Sequence, residues 1–422
     1  MVLFMFLLTS MLLEMCMLPL FICFVMVLTI FNPSFLYGVS STIFLAKVLV
    51  ALSLFLVNLF VFKFGKINFK IMMILVSVGS MIFYTTSNWL VFFVSFEGTM
   101  LPVLVLIFYF SLTPERLRAS WYLLVYTLLS SIPLLLSILN TCQFTFWMAP
   151  AFPCEVLNQP LCFILAFLFK VPLFLFHSWL PKAHVEATLE GSVILAGVVL
   201  KFGTFGLYRV SEGCSWSAGG LIESLLLSLS AYGTVISSLK ALVSTDLKKV
   251  VAYSSIGHMN LSVLSFMVLK NLSFYAFWVY MLSHSLSASV LFALVTSLYE
   301  KSGSRNLLVA KMNVKLGPSL MVATVLSWSA NMALPPFVSF VPEYIYVVSV
   351  MAYTPEVILL VSTGMFFTSV YSITHVVGGV LSSLSQSCST LSVKLDRMSE
   401  LFLLTIPSLT MFLSLNWLVC WF

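Results

Sequence analysis

Glu97, Lys170, Lys201, His258, His284 and Glu343 each lie deep within a run of apolar residues. Two carboxylates, two ammonium groups and two imidazoles share one chemistry: each can exchange a proton once burial moves its pKa toward neutrality. Holding one lysine or aspartate at the centre of a membrane helix costs about 2.5–3.5 kcal/mol, so an ionisable group kept there is a functional candidate. Glu97 illustrates the depth, since it stands about eight residues into its run, roughly 12 Å at about 1.5 Å per residue. Linked through water, such groups can relay protons. The competing reading is that each charge is paired structurally or snorkels to an interface. That reading fits Lys47 and Glu14 better, because both stand within reach of the end of a run. His177 precedes Trp179-Leu180-Pro181 and can be an interfacial belt residue, and His375 favours neither reading.

Other chemistries find little support. The eight cysteines, Cys16, Cys23, Cys142, Cys154, Cys162, Cys214, Cys388 and Cys420, show neither a CxxC nor a Cys/His spacing, so no metal site or disulfide framework is expected. No nucleotide-binding loop, flavin motif or iron–sulfur spacing is present. The chain is therefore expected to carry no cofactor and no electrons.

The elements that must position these groups follow from composition. The 422 residues are 61% hydrophobic and 8% charged, with a mean hydropathy of +1.11, against about 45–50% and about 25% for a soluble domain. A transmembrane barrel needs alternating strands, whereas residues 161–169 are apolar on every face. An all-α, multi-pass membrane protein remains. Apolar runs of bilayer length give about thirteen spans, at roughly 2–30, 42–62, 70–87, 89–110, 119–139, 160–180, 190–210, 219–240, 249–269, 272–298, 318–351, 355–381 and 401–421. The eleventh is too long for one straight crossing and is read as broken and extended at Pro335-Pro336 and Pro342.

Charge placement tests this count. Of the 20 Lys and Arg, Lys47, Lys170 and Lys201 lie inside spans, and only Arg209 and Lys270 fall in loops on one side. The rest, including Lys63, Arg118, Lys182, Lys249, Arg305 and Arg397, fall on the other side. This asymmetry puts the N-terminus on the basic face, cytoplasm or matrix, and the C-terminus on the opposite one. The chain begins on an apolar stretch without a cleavable leader, so its first span is expected to serve as the insertion signal.

Helix breaks recur. Lys170-Val171-Pro172 interrupts the sixth span, and Leu334-Pro335-Pro336 with Pro342-Glu343 interrupts the eleventh, five spans later. An odd offset inverts the second set of five spans relative to the first, as in many transporters. It also carries Glu97 onto His258 and Lys170 onto Glu343. The resulting organisation is N-terminal helices over 1–69, a first half over 70–210, a second over 211–381, and a C-terminal loop and helix over 382–422. Lys201 and His284 then lie between the breaks. Simple packing kinks are the alternative explanation of these prolines.

Four segments carry a resemblance to the antiporter-like membrane subunits of respiratory complex I: FFVSFEGTMLPVLVLI; AFLFKVPLFLFHSWLPKAHVEATLEGSVILAGVVLKFGTFGLYR; TDLKKVVAYSSIGHMNL; and SHSLSASVLFALVTSLYEKSGSRN with NMALPPFVSFVPE. Together they cover roughly residues 90 to 345, and PKAHVEA is the most specific stretch. The resemblance implies that Glu97 and Lys170 form a proton-handling pair, and that Lys201, His258 and His284 link it to the second break. There one branch of the family has glutamate and the others lysine, so Glu343 selects the branch. The chain departs from the family in three places. HVEAT stands for the usual HVEAP, Ser339 and Pro342 replace an asparagine and a glycine, and thirteen spans stand against a usual fourteen, which implies a missing N-terminal helix.

The expected function is that of a proton-translocating, non-redox subunit of a respiratory NADH:ubiquinone reductase, with NADH, FMN, iron–sulfur clusters and ubiquinone bound in other subunits. Expected partners are the other membrane and peripheral subunits and membrane lipids, with no nucleic acid. The expected location is the mitochondrial inner membrane, or a bacterial plasma membrane. An Mrp-type cation/proton antiporter subunit and a purely structural scaffold are the rivals.

Overall fold

A lipid-embedded segment must satisfy its own backbone, which for runs as uniformly apolar as these leaves the helix. A computed structural model of the chain describes residues 67–86, 88–111, 114–142, 160–213, 221–268, 271–306 and 318–384, with Leu52 and Leu56. In chain order the helices are α1 (Ile67–Thr85), α2 (Trp89–Phe110), α3 (Arg116–Cys142), α4 (Pro160–Lys170), α5 (Trp179–Glu186) and α6 (Leu189–Ile194). A π-helical turn, Leu195–Val199, joins α6 to α7 (Leu200–Gly213). Then follow α8 (Leu221–Val243), α9 (Leu247–Met267), α10 (Asn271–Ser302), α11 (Pro318–Asn331), α12 (Phe340–Tyr353) and α13 (Ile358–Leu384). The described residues contain no strand beyond the isolated bridge Asp246–Asn306.

The third to twelfth spans of the sequence reading are all present as helices. All of the first and thirteenth spans and most of the second lie outside the described residues, as do most of segments 1–69 and 382–422. Two details differ. The sixth span reaches Glu186 rather than 180, because its second half resumes after the break as α5. Pro342 does not interrupt the eleventh span: it sits in the first turn of α12, where a proline forfeits no helical hydrogen bond.

Seven of the described helical stretches are long and apolar enough to cross a membrane. Burial sorts them into inner and outer members. The most apolar stretch of Leu189–Val210 is 94% buried and that of Ala276–Glu300 89%, against 22% for Pro355–Gly378 and 39% for Arg116–Leu139. The first two therefore form the interior of the bundle, while large apolar residues such as Leu101, Ile132, Leu136, Leu359 and Phe366 are exposed on its outside. α9 is not among the seven, yet most of its residues are buried. Its serines explain this: Ser254, Ser255, Ser262 and Ser265 each donate to a carbonyl three or four residues back, so each hydroxyl is satisfied within its own helix.

Residues from the basic loops meet at one end of the bundle. Glu115, Arg118, His177, Lys182, Glu186, Lys240 and Lys249 line a cavity of about 370 Å³ there. Close by, Leu247 N–H donates to Arg305 O at 3.2 Å, tying the start of α9 to the end of α10. At the other end Arg209 lies 4.8 Å from the ring centroids of both Trp89 and Phe92. The broken crossing α4–α5 thus runs toward the basic end, and α11–α12 runs away from it.

Candidate functional site

α4 ends at Lys170 because Pro172 cannot continue the helix, and Val171 to Ser178 form a loop before α5. The carbonyls freed at the break find donors. Trp179 Nε1 donates to Phe169 O at 3.2 Å, and Asn260 Nδ2 on α9 donates to Pro172 O at 3.4 Å. α11 ends likewise at Asn331, and the hydroxyl of Ser339 bridges the second gap by donating to Ala330 O at 2.7 Å. Each loop holds one non-glycine residue in the left-handed region, Leu175 at φ 89° and Ala333 at φ 54°.

The two ionisable groups take opposite sides of their breaks. Lys170 is the last residue of a half-helix, and Glu343 lies in the first turn of one. A cation at a helix C-terminus and an anion at an N-terminus each match the sign of the helix dipole. Both breaks expected from sequence are present, and Lys170 and Glu343 occupy different positions relative to them.

Lys170 is buried, with its Nζ 4.4 Å from the centroid of the Phe96 ring. Glu97, one residue on, lies within electrostatic reach of Lys170, with Ser131 of α3 beside it. Neither Lys170 Nζ nor Glu97 Oε1 has a hydrogen-bond partner, although both atoms are buried. α7 passes against this pair through Gly203, where a Cβ would stand 2.9 Å from Val171 N and 3.0 Å from Lys170 Cβ. Only glycine permits that approach.

Lys201, two residues before Gly203, faces the opposite neighbour. It is fully buried, and its Nζ donates at 2.7 Å to Ala196 O, a carbonyl of the π turn that precedes it. Lys201 Nζ also lies 2.8 Å from His284 Nδ1 on α10. The His284 ring is 5.8 Å, centroid to centroid, from His258 on α9. His258 Nδ1 is 2.6 Å from the hydroxyl of Tyr280, which donates to Glu343 Oε1 at 3.2 Å, while the direct His258 Nδ1–Glu343 Oε1 distance is 3.8 Å. On its other side His258 Nε2 lies 3.1 Å from Asn331 Oδ1, and Asn331 Nδ2 donates to Tyr371 Oη at 3.2 Å.

The six residues singled out by sequence thus fall into a pair, Glu97 and Lys170, and a row, Lys201, His284, His258 and Glu343, on either side of α7. The row joins α7, α10, α9 and α12. Tyr280, Asn331 and Tyr371 complete it and were not anticipated. Neither was His184, which is fully buried and stacked on Phe292 at 4.5 Å, with neither ring nitrogen hydrogen-bonded. Of the residues left open, His177 Nε2 lies 3.1 Å from Lys240 Nζ and His375 stacks on Trp328 at 4.6 Å. Lys47 and Glu14 lie outside the described residues. No cluster of metal-ligating side chains occurs among the described residues.

Comparison with known proteins agrees with this architecture. The family model described as NADH:quinone oxidoreductase/Mrp antiporter, transmembrane, matches residues 86–368. NADH-ubiquinone oxidoreductase chain 4 of Locusta migratoria is 38% identical over 296 residues, which is 69% of this chain and 66% of the relative. The protein of that name from Lumbricus terrestris is 35% identical over 297 residues, 68% of this chain and 66% of the relative. The match therefore spans just under two thirds of these relatives' length. Among solved structures, a chain of respiratory complex I from Thermus thermophilus with bound NADH superposes with a TM-score of 0.77 at 22% identity, covering 89% of this chain and 81% of that one. A chain of the Mrp complex from Dietzia sp. DQ12-45-1b gives 0.74 at 21%, covering 88% and 42%. Both share the fold.

Proposed function

Because the chain belongs to the NADH:quinone oxidoreductase/Mrp antiporter membrane family, we propose that it is a proton-translocating membrane subunit of a respiratory NADH:ubiquinone oxidoreductase, corresponding to the chain 4 subunits it is similar to. The observation that carries this reading is the row of proton-exchanging groups from Lys201 to Glu343, buried in the two-half bundle. In this reading the mitochondrial inner membrane holds the chain, and its partners are the other membrane and peripheral subunits together with lipids. NADH, FMN, iron–sulfur clusters and ubiquinone belong to those other subunits. This chain performs no redox step.

The mechanism is electrostatic. Moving the Lys170 charge toward or away from Glu97 changes the field on the far side of α7, where Lys201 holds a proton without a carboxylate among its hydrogen-bond partners. Lys201 Nζ gives that proton to His284 Nδ1 across 2.8 Å. A water in reach of both imidazoles would carry it on to His258, and from there it reaches Glu343. Glu343 opens the half-helix that runs away from the basic end, so release on that side completes one crossing. In this mechanism the first break holds the lysine that sets the field, and the second break precedes the half-helix whose first turn carries the last proton acceptor.

Glu343→Gln keeps shape and polarity but cannot bind the transferred proton as a carboxylate does. In the assembled complex reconstituted in vesicles, NADH-driven proton uptake by this variant is expected to lose this subunit's share. Uptake at the unmodified stoichiometry sinks the relay. An Mrp-type antiporter would use the same groups without NADH; co-purification with iron–sulfur subunits distinguishes the two.

A further inference from the structure

Between His258 and Glu343 the direct contact is too long for a hydrogen bond, at 3.8 Å. The hydroxyl of Tyr280 fills the interval, 2.6 Å from one group and 3.2 Å from the other. We infer that Tyr280 is a relay residue: the proton passes from His258 to Glu343 through its phenol oxygen. This inference rests on the proton-translocation reading above.

The surrounding contacts set the direction in which each group can donate. Asn331 uses its amide N–H on Tyr371 Oη, so its carbonyl oxygen remains to accept from His258 Nε2–H. In the neutral imidazole the bare nitrogen is then Nδ1, and Nδ1 faces Tyr280. A single hydroxyl hydrogen therefore stands between two acceptors, a ring nitrogen and a carboxylate oxygen. When His258 receives a second proton, its new Nδ1–H points at Tyr280 Oη. In the transfer that N–H bond breaks and an O–H bond forms on Tyr280, while the original Tyr280 O–H breaks and its proton joins Glu343 Oε1. Imidazolium, phenol and carboxylate become imidazole, phenol and carboxylic acid, so charge and atoms balance. Rotation of the hydroxyl about its C–O bond resets the relay once Glu343 has released its proton. Tyr280 is 3% exposed and held in the interior face of α10, so its oxygen stays where a water would have to be recruited.

The test uses the assembled complex, checked by native electrophoresis and reconstituted in vesicles. Tyr280→Phe removes one oxygen and keeps the ring. This subunit's share of the NADH-driven proton uptake is expected to slow by about tenfold or more, in line with the loss of a positioned proton-transfer group. Tyr280→His, which returns a proton-carrying atom to the gap, is expected to pump faster than Tyr280→Phe, a rescue that a merely structural hydroxyl would not give. If Tyr280→Phe does not assemble, Tyr280→His decides alone: pumping supports the relay, and an assembled complex that does not pump overturns it. Uptake at the unmodified rate in Tyr280→Phe also overturns it. Glu343→Gln separates the two levels, because uptake retained there sinks the translocation reading itself. Uptake lost there but kept in Tyr280→Phe removes only the tyrosine step.

Discussion

An ammonium group can give up its proton; a guanidinium in a protein cannot. Lys201→Arg keeps the positive charge opposite His284 but removes the exchangeable proton, so assembled complex is expected with little proton uptake by this subunit, measured against NADH oxidation in vesicles. Arginine performing as well as lysine would mean that charge alone matters at this site. At this scale the sequence is most legible where an ion violates its surroundings. Glu97, Lys170, Lys201, His258, His284 and Glu343 stand out because charge is rare in such runs. Tyr280, Asn331 and Tyr371 do not, because a neutral polar side chain costs little there, and their contacts, from Tyr280 to Glu343 and from Asn331 to Tyr371, join residues far apart in the chain. His184 is hidden for a different reason: it lies in a short segment between runs, which only the fold of α5 under α10 turns into interior.

Among the elements, the helices themselves could be read from apolar length, and both breaks from their prolines. The π turn could not, because Leu195–Val199 carries no residue that marks it in sequence. One of its carbonyls, Ala196 O, accepts from the Lys201 ammonium. Gly203 has a comparable role on the opposite side of α7. Gly203→Ala brings a methyl group into conflict with Val171 N, part of the backbone at the break, so the helices must separate. Overpacking of this kind costs about 1–3 kcal/mol. The expected result is a complex with lowered thermal stability and weakened proton uptake, read by a melting curve and a vesicle assay on the same preparation. An unchanged melting curve would show that α4 can yield without penalty.

Across the whole molecule, the alternation of basic and neutral loops foresaw which ends lie together. Arg118, Lys182, Lys240 and Lys249 do share one cavity, and Arg209 lies at the far end against Trp89. Cysteines placed at Lys249 and at Arg209 are therefore expected to react with a membrane-impermeant thiol reagent from opposite faces of sealed vesicles; labelling of both from one face would overturn the topology. What loop charge could not reveal is how unequal the helices are, since burial depends on which neighbours enclose a helix and not on its own composition. Lys201, His284, His258 and Glu343 all lie well inside their crossings, at the middle of a helix or at a mid-crossing break. With the helices taken as crossings, a row at mid-crossing depth runs along the plane of the bilayer. A charge moving in that plane crosses almost none of the transmembrane voltage, which is worth about 2.3 kcal/mol per elementary charge per 100 mV for a full crossing. On the proposed relay, nearly all the electrical work then falls on proton uptake and release at the ends of the row, so the transfers between them are expected to proceed at almost the same rate in a resting membrane and a fully energised one.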